Sequence, residues 1–129
     1  MRELLLDTHA LLWFIAGDDK LSANARQAIE SLDATVYVSI ATLWEIAIKI
    51  SVGKLRLSEP FEDLIPGELE NNQFRELPIE VADLSQYQQL PLHHRDPFDR
   101  LLIAQAKRRG LVLVSRDSAF RQYGIETYW

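Results

Sequence analysis

The chain has 129 residues, 47% of them hydrophobic, and no cysteine. That is long enough to bury a core without covalent staples and too apolar for a disordered chain, and it excludes disulfide frameworks and thiolate metal sites. The formal net charge of −5 argues against nonspecific nucleic-acid binding by the whole surface, but the charge is uneven. Residues 1–89 carry 7 Lys+Arg against 15 Asp+Glu, a balance of −8, whereas residues 90–129 carry 7 against 4, a balance of +3. Phosphate contacts are therefore expected in the C-terminal third.

In chain order, Glu3 to Leu6 reads as a short buried strand ending at Asp7, and Thr8 to Ala16 as a helix stopped by "GDD". Asp7 and His9 interrupt the leading leucines, so a signal peptide is not expected, and the longest apolar run, Ala10 to Ala16, is far short of the about 20 residues a bilayer span takes. Leu21 to Leu32 is predicted as a second helix, with Ala25, Ala28, Ile29 and Leu32 at helical spacing. "ATVYVS", 34–39, is a β-branched strand, and Ser39 or Thr42 caps a helix that runs to about Val52. In the next segment Ser58 is the expected N-cap, and Pro66-Gly67 is expected to break or kink the helix. "FRELPI", 74–79, reads as a strand, Glu80 to Gln89 as a short helix, and "LPLHH" as a loop. Phe98 to Arg109 is a helix closed by Gly110, "LVLVS" (111–115) a strand, 118–123 a helical turn, and "IETYW" an edge strand. Helices alternate with about five strands, which predicts one α/β domain over 1–129 with a mostly parallel sheet.

In such sheets ligands bind beyond the carboxyl ends of the strands. Asp7 follows the first strand directly and Asp117 follows "LVLVS" by two residues, so both fall on one rim. Each also suits a helix N-cap, a role worth about 1 kcal/mol. Asp96, Pro97 and Asp99 fit N-cap, N1 and N3 of the helix after them. Aspartate at N3 reaches back to the cap less well than glutamate, which makes Asp96 the better cap and frees Asp99 for another task. Glu45, inside "IATLWEIAIKI", caps nothing. It suits either an exposed i, i+4 pair with Lys49 or, in a helix apolar on nearly every face, a buried carboxylate that needs a cation. Four carboxylates on one sheet edge would repel one another unless a divalent ion intervened, and an all-oxygen set suits Mg²⁺ or Mn²⁺ and phosphodiester chemistry.

"LLLDTHALLW", "WEIAIK", "HHRDPFDRLLIAQA" and "LVLVSRDSAF" resemble, in order and spacing, the motifs of PIN-domain ribonucleases, above all the VapC toxins of bacterial toxin–antitoxin pairs. The resemblance implies a three-layer α/β/α fold and endonucleolytic RNA cleavage by metal-activated water, with Mg²⁺ or Mn²⁺ as cofactor. It places the acids at Asp7, Glu45, Asp99 and Asp117, with Asp96 and the Thr8 hydroxyl in supporting positions. It further implies a cytoplasmic protein with no membrane association, a cognate antitoxin as partner, and a homodimer. The other readings are a non-catalytic PIN-like binding module, and a Mg²⁺-dependent phosphatase or phosphotransfer domain. The haloacid phosphatase pattern needs an aspartate where His9 stands, and a receiver domain needs a late lysine where Arg116 stands.

His9, His93 and His94 are the only histidines. A His pair could cleave RNA without metal, but adjacent histidines in a strand point to opposite faces and no lysine stands nearby. Zinc ligation would need several His or Cys at set spacings. Arg100, Arg116 and His94 flank the acids and are expected phosphate contacts. "KRR", 107–109, suits a helix C-terminus, and Trp13 and Trp44 suit a core or an interface.

Overall fold

The computed structural model describes residues 2–129. The strands are β1 (Arg2–Leu6), β2 (Ala34–Ser39), β3 (Arg75–Leu77), β4 (Val112–Val114) and β5 (Thr127–Tyr128). The helices are α1 (Thr8–Ala16), α2 (Ala23–Glu30), α3 (Ile40–Ser51), α4 (Phe61–Asn71), α5 (Val81–Gln88) and α6 (Pro97–Arg109), with a 3-10 turn at Ser118–Tyr123. All five strands are parallel, in the order β3-β2-β1-β4-β5.

Strand alternation divides the core. Leu4 and Leu6 of β1 face one way, with Val36 and Val38, and are covered by Ala10, Leu11, Ile29, Ile46 and Ile65 from α1 to α4. Leu5 faces the other way, with Leu77 and Leu113, under Leu102, Ile103 and Phe120. The result is the expected α/β/α sandwich. After β3 the chain crosses β1 and continues on its far side, so the order reverses between β1 and β4. Leu6 pairs with Val114, and the Asp7 N–H donates to the Val114 carbonyl at 3.2 Å. The residues just beyond these two strands therefore share the crevice that such a reversal opens.

Several expectations change. The second helix starts only after Ser22, which caps it, and stops at Glu30. Ser31 turns extended, and its carbonyl and hydroxyl accept from Ala34 and Asp33 N–H, so Leu32 lies on the surface instead of in the apolar stripe. Ser39, not Thr42, caps α3. Pro60, not Ser58, stands at the N-cap of α4, without a side-chain bond. Pro66 neither ends nor interrupts α4. Both Pro66 and Glu62, whose carbonyl loses its intrahelical partner, are on the solvent side, where water can satisfy that carbonyl. α3 is not buried all round, because Trp44, Ile48 and Val52 form an exposed apolar stripe. The "KRR" segment does more than suit a helix end: Arg108 bonds Asp83 and Glu80, and Arg109 bonds Glu80, each at 2.6 Å, clamping α6 to α5. Among the described residues no helix is long and apolar enough to cross a membrane.

Candidate active site

Each acid is delivered by a different part of this frame. Asp7 leaves β1 as an extended residue and caps α1, its Oδ1 accepting from the Ala10 N–H at 2.8 Å. The cap and the site coexist, since a cap occupies one oxygen. Asp7 is 7% exposed. Burial pushes its carboxyl up, the Ser115 hydroxyl, the Ala10 N–H and His9 oppose this, and Asp117 adds to it, leaving Asp7 above the ordinary aspartate value. Ser115 stands next to it because β4 runs in register with β1. The residue after a paired strand could have been read from that register, but its role was missed.

Glu45 pairs with Lys49, but as a buried carboxylate and not on an exposed face. It is 8% exposed, its Oε2 lies 3.0 Å from Lys49 Nζ, and its Oε1 accepts from the Thr8 hydroxyl at 2.6 Å. Thr8 thus acts on Glu45 and fixes its orientation from α1.

Asp96 is the cap of α6, its Oδ1 accepting from the Asp99 N–H at 2.9 Å, with Pro97 at the first helical position. Asp99, one turn in, is the crowded member of the set. Burial first, and then the charges of Asp96, Glu45, Asp7 and Asp117, push its carboxyl up to about 7. The other four acids are thus each near enough to act on Asp99. Asp117 caps the 3-10 turn through the Ala119 N–H at 2.9 Å and is half exposed.

His94 lies between two of these acids. Its Nδ1 accepts from the Asp96 N–H at 3.3 Å, so Nε2 carries the proton, 3.2 Å from Asp99 Oδ2 and 3.7 Å from Asp117 Oδ2. Its ring stacks on Phe120 at 5.7 Å. His93 packs instead on the edge of Tyr123 and is exposed. Arg100 does not face the acids. Its guanidinium is buried, donates to the carbonyls of Pro91 (3.0 Å), His94 (3.3 Å) and Leu90 (3.5 Å), and lies over the Tyr87 ring. It anchors the 90–94 loop, a use that depends on where that loop folds back and that local sequence does not reveal. The Tyr123 hydroxyl completes the mooring, accepting from the N–H groups of His93 and His94 at 3.1 and 2.7 Å. Tyr123→Phe leaves both N–H groups without that acceptor and is expected to cost about 1–3 kcal/mol in urea unfolding, with faster hydrogen exchange at 93 and 94. Unchanged exchange there would show that the hydroxyl does not hold the loop.

Arg116 is exposed and lies over the Trp13 ring, 4.8 Å from its centroid. With Asp7, His9, Trp13 and Asp117 it lines an open cleft of about 320 Å³. Trp13, expected in a core or interface, therefore borders the acids. As the side chains stand, no three acids or histidines among the described residues converge closely enough to ligate one ion. The donor set is nonetheless all carboxylate oxygen, which suits a hard divalent cation, and the charges of the neighbouring acids that add to the rise of Asp99 are ones such an ion would offset.

The family model described as PIN domain matches residues 4–126. The chain belongs to the PIN-domain family. Ribonuclease VapC22 of Mycobacterium tuberculosis is 30% identical over 124 residues, which cover 95% of this chain and 93% of that one. Among solved structures, VapBC2 of Rickettsia felis, bound to a DNA fragment from its promoter, superposes with a TM-score of 0.74 at 16% identity, over 98% of this chain and 97% of that one. VapBC-5 of Mycobacterium tuberculosis, from the VapBC family of toxin–antitoxin systems, gives 0.62 at 17% identity, over 98% of each chain. These likenesses establish the PIN-type α/β/α fold that the resemblance implies, with the mostly parallel sheet that the residue pattern predicts.

Proposed function

We propose that this PIN-domain chain is a Mg²⁺- or Mn²⁺-dependent endoribonuclease and the toxin of a toxin–antitoxin pair. The observation that carries the reading is the gathering of Asp7, Glu45, Asp99 and Asp117, from four separate elements, at the crevice beyond β1 and β4. It is supported by the family match and by the similarity to Ribonuclease VapC22. The antitoxin as partner is supported by fold neighbours that are VapBC assemblies, and the exposed Trp44, Ile48 and Val52 offer a homodimer an apolar face. We place the protein in the cytoplasm, where RNA and a co-produced antitoxin would meet it.

Asp7, Glu45, Asp99 and Asp117 would hold the cation. When bound, it supplies Lewis acidity toward a phosphodiester and offsets the carboxylate repulsion. The chain's own groups prepare that site. Thr8 and Lys49 hold the two oxygens of Glu45, and Ser115 and the Ala10 N–H hold Asp7. The Asp96 cap sets the first turn of α6 and so places Asp99. Arg116, at the cleft wall, supplies a cation to a phosphate.

RNA cleavage is expected to stop in EDTA and return with Mg²⁺ or Mn²⁺. Hydrolysis by water leaves 5′-phosphate and 3′-hydroxyl ends, whereas attack by the RNA's own 2′-hydroxyl leaves a cyclic phosphate. End-group analysis separates the two. Cyclic ends, or full activity in EDTA, would turn the reading toward His93 and His94; an absence of cleavage under every metal would favour a non-catalytic binding module.

A further inference from the structure

The ridge beside the acid cleft is a row of flat side chains. His9 stacks on Trp13 with ring centroids 5.2 Å apart and planes 15° from parallel. Arg116 lies over the same indole, and Trp129 braces it from the side at 5.9 Å and 66°. Trp13 is half-buried and so held in place, while His9 is exposed. A histidine in this position contributes little to core packing, because its ring stays in water.

Two cavities meet at this ridge. On one side is the cleft of Asp7 and Asp117. On the other is an open groove of about 700 Å³, also lined by His9 and Trp13, that carries Lys49, Lys54 and Arg56. Lys49 is paired with Glu45, but Lys54 and Arg56 make the groove a local reversal of sign in a chain of net charge −5. Single-stranded nucleic acid is bound by this combination, cations tracking the backbone and flat side chains stacking the bases.

We propose that His9, on the Trp13–Arg116 support, is a nucleobase platform. It seats the base of a nucleotide flanking the scissile phosphodiester while the backbone continues past Lys54 and Arg56. This rests on the ribonuclease reading above, to which it adds a single-stranded substrate gripped by a base next to the cut. His9 is a positioning residue, with no part in the bond chemistry.

The test pairs a protein change with an RNA change. A fluorescein-labelled single-stranded oligoribonucleotide that the protein cleaves is prepared intact and with an abasic ribose on either side of the cut. Stacking on one platform is worth about tenfold in affinity or more. In the unaltered protein the abasic substitution on one side should lower kcat/KM at least tenfold. In His9→Ala the intact RNA should show a similar loss, and the same abasic substitution should lower it little further. His9→Phe, which keeps a flat ring, should restore the sensitivity. By anisotropy in EDTA, His9→Ala should weaken RNA binding several-fold without changing its slope against salt, since no phosphate contact is lost. Equal binding and equal abasic penalties in His9→Ala and the unaltered protein overturn the platform and leave the ribonuclease reading standing. So does a His9→Ala protein that binds RNA normally but holds an antitoxin less tightly. If the unaltered protein cleaves no RNA with either metal, both fall together.

Discussion

Asp99→Asn is expected to melt at a higher temperature than the unaltered protein at pH 8 in EDTA, and to cleave no RNA when Mg²⁺ is added. The first half follows from the crowding of that carboxyl. Folded, it ionises at about 7; unfolded, near the ordinary 3.8. As pH rises between those values the unfolded chain has released a proton that the folded chain still holds, so stability falls across the window. The loss is complete above about 7 and amounts to about 4 kcal/mol from linkage. Asparagine stays neutral and escapes it. A fall with pH persists in the variant, because burial also raises Asp7. For the unaltered protein, Mg²⁺ should raise the melting temperature more at pH 8 than at pH 5. Thermal melts at both pH values, with and without the ion, check all three statements. An Asp99→Asn protein with the pH profile of the unaltered one would mean that the repulsion is centred on another acid.

Asp83→Ala should be the most damaging single change away from the cleft. Asp83 is 0% exposed and receives the Arg108 Nε at 2.6 Å. It also closes a capping box with Glu80, whose N–H it accepts at 2.8 Å. Burial pushes its carboxyl up, but the Arg108 bond, the Glu80 N–H and the Arg108 charge outweigh this and hold it below the ordinary value. Removing a buried acceptor of a charged hydrogen bond costs about 1.5–3 kcal/mol, since Arg108 is partly exposed and keeps Glu80 as a counter-charge. Urea unfolding should show that loss with little change in the slope. A change below about 1 kcal/mol would show that the clamp between α5 and α6 behaves as an ordinary surface pair. RNA cleavage by the folded fraction should be unaffected, since Asp83 lies on the α5 side of α6, remote from the acids.

The parts of the site that could be read in the sequence are those set by local rules. Asp7 and Asp117 follow buried strands, and strand ends in a parallel sheet share a rim. Cap arithmetic alone separates Asp96 from Asp99. The parts that could not be read depend on contacts between distant segments. Glu45 is both an i, i+4 partner of Lys49 and a member of the acid cluster, and only the Thr8 hydroxyl, reaching across from α1, shows how both are true. Arg100 sits between two candidate acids in the sequence, yet its guanidinium is taken up by carbonyls of a loop that folds under α6. Periodicity also overstated the burial of α3, because a helix with hydrophobic residues on most sides still buries only the side that another element covers.

The order of the sheet has a consequence for synthesis. Its central strand is the first made, and the neighbour that brings Ser115 and Asp117 alongside Asp7 is among the last. A nascent chain can pair β1 with β2 and β3 early, but the cleft has no second wall until β4 has left the ribosome. The nuclease we propose would therefore be harmless while it is being translated, and any product cut short before Val112 would stay so. On that reading its activity would arrive in one late folding step, and a newly made antitoxin would have a defined moment at which to intercept it.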